Sequence, residues 1–220
     1  MVRNVAVAGM LLVLWCGGAV AAVQEAAPAA DIFSGPYLGI FAAHAWQEVA
    51  YAEPSWPGFE RKPDLNGVLS GATAGYTCVQ GRNLFGIEAD AGFGNLDKGE
   101  DNGLRNSYSA FEMHWNAHVR GRIGCAVSEN TVLFAAAGMA MTEVKVDDVM
   151  PQWDDDDALH IGWTAGVGVE YAISEEVHAR IEYLYDDYGD AHYRIGGNLP
   201  YESEVDLNAH VVRVGLSWQF

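Results

Sequence analysis

Eight charged residues recur at alternate positions in stretches that are otherwise small or apolar: Glu88, Asp90, Arg120, Arg122, Glu170, Arg180, Glu182 and Arg213. Four are acidic and four are basic. The chain as a whole carries 30 acidic residues against 12 lysines and arginines, a formal charge of −18, so a balanced set stands apart from the rest. A solvated surface has no need of balance. An unpaired charge held away from water costs on the order of several kcal/mol. The balance predicts a confined interior filled by ion pairs.

Other residue types could carry chemistry of their own. Seven histidines are present: His44, His114, His118, His160, His178, His192 and His210. His114 and His118 fall on one strand face but roughly 13 Å apart at strand rise, too far for one metal ion. His160 and His192 flank acidic segments, where an external ligand such as hemin would meet the chain, although those acids repel hemin propionates. Histidines at interfaces or in the interior are the simpler reading. Asp147, Asp148 and the run Asp154 to Asp157 could hold Ca²⁺ or Mg²⁺, but they lack the alternating spacing and turn glycine of a calcium loop. A solvated loop accounts for them, and no metal site is expected. Ser217 and His210 share the last strand with opposed parities, which does not assemble a Ser-His-acid site. The chain is therefore expected not to be an enzyme. Cys78 and Cys125 sit at the short-turn ends of their strands, on an oxidising side that favours a disulfide. An intervening strand would hold them about 10 Å apart, beyond bonding reach, unless a bulge intervenes. Both outcomes for this pair stay open.

Alternating charges require strands to carry them. The closing stretch shows the pattern most clearly. Phe220, Trp218, Leu216, Val214 and Val212 share one face; Gln219, Ser217, Gly215, Arg213 and Val211 share the other. Seven further strands are expected at Gly35 to about Glu48, Asn66–Val79, Leu84–Leu96, Tyr108–Val127, Thr131–Val146, Leu159–Ile173 and Val177–Tyr188, with the last from Val205. The connections alternate long and short. That is the rhythm of an up-and-down transmembrane β-barrel, with short turns on one side and long loops on the other. A soluble barrel is the rival, with its charges outward; the charge balance argues against it. Eight strands enclose just enough room for side chains, so no wide pore is expected.

The N-terminus reads as a secretory signal over residues 1–22. Arg3 supplies the positive charge, Val5 to Val20 the apolar run, and Ala19 to Ala22 the small residues for cleavage. Residues 23–33 form an Ala/Pro-rich lead-in, expected to be loosely held, and residues 34–220 the barrel. No other segment approaches the ~18 apolar residues of a spanning helix. The acidic balance offers no basic footprint for nucleic acid.

The stretches Gly86 to Gly94, Val119 to Gly124, Gly162 to Ile173, Arg180 to Tyr185 and Val212 to Leu216 together resemble the small outer-membrane β-barrel "porin family" proteins of Gram-negative bacteria. That family includes surface antigens and hemin-binding surface proteins. The resemblance covers nearly the whole mature chain. It implies an OmpA-like eight-stranded barrel, exported through the periplasm and surrounded by outer-membrane lipid and lipopolysaccharide. It also implies that the barrel assembly machinery recognises the end of the last strand, at Phe220 with Trp218 and Leu216. The expected role is structural or surface-interacting, without a cofactor. A narrow porin or a hemin-binding surface protein are the alternatives.

Overall fold

Period-two alternation of glycine, alanine, β-branched and aromatic residues suits a pleated surface with two different faces. The computed structural model describes residues 31–52, 60–61, 64–97, 109–148, 156–195 and 201–220. Its strands are β1 (Gly35–Ala52), β2 (Glu60–Arg61), β3 (Asp64–Gln80), β4 (Asn83–Asp97), β5 (Ser109–Ser128), β6 (Thr131–Asp148), β7 (Asp156–Ala172), β8 (Val177–Ile195) and β9 (Tyr201–Gln219). All but the two-residue β2 build the wall. Each long strand pairs antiparallel with the next, and β9 pairs back onto β1, which closes an eight-stranded barrel. β2 only extends the outer end of β1, at Tyr51 and Ala52.

Closure fixes the stagger. Paired residues followed once round the wall run Tyr37, Gly75, Glu88, Arg120, Gly138, Thr164, Asp186 and Ala209, and return to β1 at Gln47, ten residues along from the start. Such a shear tilts the strands by roughly 35–45°.

The outward face is apolar. It runs from a ring of Tyr76, Phe85, Tyr171 and Trp218 to a second ring of Trp46, Phe93, Trp115 and Trp163, with Leu38, Ile40, Val68, Ile87, Val119, Ile181 and Leu216 among the side chains exposed between. The rings are separated by eight to ten residues of tilted strand, about 20–25 Å along the barrel axis and close to the height of an outer-membrane apolar band. No helix among the described residues is long and apolar enough to cross a membrane; the strands cross instead.

The short turns gather at one end of the barrel, together with Gly35 and Phe220, whose amide donates to the Pro36 carbonyl at 3.0 Å. The signal segment 1–22 and most of the lead-in lie outside the described residues. The end of the lead-in is not loose, contrary to expectation. Asp31–Phe33 forms a 3-10 turn, and Phe33, only 2% exposed, closes the barrel mouth against Leu84, Ala126, Val132, Phe134 and Ala172. The composition of residues 23–33 concealed this because one aromatic side chain carries the contact. Phe33→Ala should lower the unfolding free energy by about 3 kcal/mol, as truncation of a buried aromatic does. Urea titration of refolded protein, read by gel mobility, checks it; an unchanged midpoint would mean that the plug is not seated.

Strand boundaries agree with the sequence reading to within three residues, apart from the outer ends of β1, β8 and β9. β8 runs seven residues past Tyr188. Glycine there signals a turn, but Gly189, with φ +67°, instead makes a bulge between Asp187 and Asp190, after which the strand resumes.

Candidate functional site: the barrel interior

Strand parity places all eight charged residues on the inner face. Glu88, Arg120 and Glu182 are each 1% exposed. Arg120 is the centre of the array. Its Nη2 lies 2.5 Å from Glu88 Oε1 and 3.1 Å from Asp90 Oδ2, and its Nη1 donates to Glu182 Oε1 at 2.8 Å. Arg122 Nη2 donates to Glu170 Oε2 at 2.6 Å, and Nη1 donates to the Tyr37 hydroxyl at 2.9 Å. Arg180 donates through Nη1 to Glu88 Oε2 and lies 3.3 Å from Glu170 Oε2 through Nη2. Arg213 Nη1 sits 3.1 Å from Asp90 Oδ2 and 3.9 Å from Glu182 Oε2. The guanidinium forks suit this arrangement because each can bind two carboxylates in one plane.

Further interior residues join this array beyond the eight charges. Asp186 follows the same alternation as Glu182 on β8 and is fully buried. His118 joins it to the array, with Nδ1 2.8 Å from Asp90 Oδ1 and Nε2 3.3 Å from Asp186 Oδ2. An imidazole facing two carboxylates donates to both only as the imidazolium. With that charge, five carboxylates meet five cations. Tyr37 donates its hydroxyl to Glu88 Oε2 at 2.5 Å. Aromatic rings also line the guanidiniums: Phe134 lies 4.2 Å from the Arg122 carbon and Phe41 lies 4.1 Å from that of Arg213, contacts that add cation–π attraction. Inner-face glycines make room for these rings. A methyl group added at Gly71, Gly75 or Gly168 would come within 2.5 Å of Phe41, Tyr37 and Phe134 respectively. The inner face is therefore a mixed aromatic and ionic filling. Tyr37 and Phe41 escape sequence reading because both faces of β1 are apolar and parity alone does not say which turns inward.

The histidine readings change. His114 and His118 do not share a face: a bulge between Met113 and Asn116 leaves His114 exposed and His118 buried. His160 is no loop ligand, because it points into the barrel at 2% exposure. His178 is also internal, against the Phe33 ring at 4.7 Å. His192 lies on the outer part of β8, and its side chain is outside the described residues. Of the acidic stretch between β6 and β7, Val149 to Asp155 lie outside the described residues, whereas Asp147, Asp148, Asp156 and Asp157 belong to strand ends. Among the described residues, no three His, Cys, Asp or Glu side chains form a metal-binding group. Ser217 is buried inward while His210 lies outside, 2.7 Å from the Tyr183 hydroxyl.

The disulfide between Cys78 and Cys125 is not formed. Cys78 pairs with Phe85 on β4 and Cys125 with Asn83 on the other edge of the same strand. A whole strand therefore separates them, about 10 Å. The β3–β4 and β4–β5 ladders run without a bulge at this end, so nothing shortens the gap.

A cavity of about 20 Å³ lies among Phe41, Arg180, Glu182, Arg213 and Ser217, room for roughly one water molecule. A closed antiparallel barrel with an apolar outer band and a side-chain-filled lumen defines the class: an integral outer-membrane β-barrel. The chain belongs to the outer membrane protein beta-barrel domain family, whose model matches residues 14–220. It is 29% identical over 189 residues to the 25 kDa outer-membrane immunogenic protein of Brucella abortus biovar 1 (strain 9-941), covering 86% of this chain and 79% of that one. It is 30% identical over 221 residues to the 31 kDa outer-membrane immunogenic protein of Brucella melitensis biotype 1, covering 90% of each. The fold is similar to that of Neisserial surface protein A, with a TM-score of 0.54 at 15% identity over 85% of this chain and 98% of that chain. It is also similar to outer membrane protein OprG from Pseudomonas aeruginosa, with a TM-score of 0.55 at 12% identity over 85% and 96%. The protein is an outer-membrane protein of a Gram-negative bacterium, and these relatives are named as outer-membrane immunogenic proteins.

Proposed function

We propose that the barrel is a non-conducting and non-catalytic envelope protein that acts through its outer surface, without a resident cofactor. The observation that carries this reading is the filled interior: Arg120 alone touches three carboxylates across the lumen. A conducting pore would need a continuous water path past that array. The surrounding lipid and lipopolysaccharide hold the apolar band. The assembly machinery is proposed to read the end of β9 through Phe220, Trp218 and Leu216, all of which face outward.

Planar bilayers containing the refolded protein should show no stepwise current above that of protein-free membranes. Regular unitary steps in the parent protein, absent from a heat-denatured sample, would favour the narrow-porin alternative.

A further inference from the structure

The outward face is not apolar all the way round. On the arc made by β8, β9 and β1 it carries polar groups, set in rows by the strand pairing. Asp187 lies beside Asn208. Tyr185, His210 and Trp46 form the next row, and Tyr183, Val212 and His44 the one after. Alternation turns all of these side chains outward. Trp46 belongs to the outer aromatic ring, so the row of Tyr183 and His44 lies two residues, roughly 5 Å, nearer the middle of the membrane. That row ends in apolar side chains on both sides, at Val167 paired with Tyr183 and at Val68 paired with His44.

The polar groups keep hydrogen-bonding capacity that the chain does not use. The Tyr183 hydroxyl lies 2.7 Å from His210 Nδ1. Whichever of the two donates, the pair is left with one donor and one acceptor. His44 meets the Trp46 ring edge-on at 4.5 Å and has no hydrogen-bond partner among the described residues. A neutral imidazole there adds one further donor and one further acceptor. Polar groups removed from water cost free energy unless they are hydrogen-bonded. The molecule that covers this arc therefore has to supply donors as well as acceptors just below the aromatic ring.

That requirement selects among outer-leaflet lipids. The ester groups of a phospholipid offer acceptors alone. A phosphate calls for basic side chains, and the basic side chains described on β1, β8 and β9 are Arg180 and Arg213, both turned into the lumen. A sugar with amide-linked acyl chains offers hydroxyls and N–H groups that donate, oxygens that accept, and an apolar ring face that can lie on Trp46. We propose that this arc binds one lipopolysaccharide molecule at the junction of its amino-sugar backbone with its acyl chains. His44, His210 and Tyr183 take the hydroxyl and amide groups, and an acyl chain lies over Val212. The proposal rests on the reading that the outer surface is the working part and is surrounded by lipopolysaccharide.

The refolded barrel, free of native lipid, is titrated in detergent with lipid A, with lipid A stripped of its phosphates, and with cardiolipin. Native mass spectrometry counts the bound lipid. One molecule of either form of lipid A should be retained, with cardiolipin about ten-fold weaker. His44→Leu and His210→Leu should each weaken lipid A binding by about ten-fold, whereas Val68→Ala should leave it unchanged. Heat-modifiable gel mobility shows that each variant is folded, and Tyr183→Phe, which removes one hydroxyl, replaces any that is not. Binding lost with the phosphates, equal retention of cardiolipin, unchanged affinity in the variants, or a protein dimer in place of the lipid adduct would each overturn the proposal. A conducting barrel that still retained lipid A would contradict the proposed function alone, and a non-conducting barrel that retained none would contradict this site alone.

Discussion

Replacing Arg120 by leucine lowers the unfolding free energy of the refolded barrel by about 3–5 kcal/mol, the range for removing one partner of a buried ion pair. Arg120 is 1% exposed and is the shared partner of Glu88, Asp90 and Glu182. Leucine leaves those carboxylates crowded together with one fewer cation, in a place water reaches poorly. Arg213→Leu should cost less. Arg213 has one close carboxylate, Asp90 at 3.1 Å, and its second contact is 3.9 Å away. Arg120→Lys should fall between the parent and leucine, because an ammonium keeps the charge but cannot span the carboxylates with a planar fork. Urea unfolding in the same lipid for all three variants gives the ranking. If leucine at 120 proved no worse than leucine at 213, Arg120 would not be the centre of the array.

Deleting Phe220 separates assembly from stability. In the structure the residue contributes one backbone hydrogen bond, to Pro36, and one outward ring at 73% exposure. Its burial in lipid is worth about 1.5–3 kcal/mol at most, a modest loss for a wall closed by β9 on β1. Refolding of the truncated protein into detergent should therefore give nearly the parent yield. In cells most of the truncated protein should fail to reach the heat-modifiable, membrane-inserted form, because the proposed recognition element is gone. Equal insertion of both forms in cells would remove Phe220 from that role.

Much of the wall is legible because strands announce themselves by parity. The ladders of β4, β5, β7 and β9 are each written in alternating residues, and the charges at 88, 90, 120, 122, 170, 180, 182 and 213 sort to one face without any knowledge of neighbours. The features that stay hidden depend on the third dimension. Nothing in β1 distinguishes Tyr37 and Phe41 from Leu38 and Ile40; closure of β1 on β9 decides which pair enters the lumen. A strand-period reading slips wherever a bulge inserts a residue. For that reason parity puts His114 on the face of His118, and the structure does not. The same effect ends the expected β8 before Gly189. Phe33 is invisible in the sequence because a single buried ring leaves no periodic signal.

The central claim is that the lumen is a packed, mutually dependent ion-pair array. A double-mutant cycle on Arg122 and Glu170, joined at 2.6 Å, tests it most directly. The variants are Arg122→Leu, Glu170→Gln and the pair together, with unfolding free energies measured in one lipid. A buried contact predicts a coupling of about 2 kcal/mol or more, toward the upper part of the range for residues in one network. A coupling below about 0.5 kcal/mol, as solvent-exposed pairs give, would mean that water fills the lumen and that the barrel is a pore.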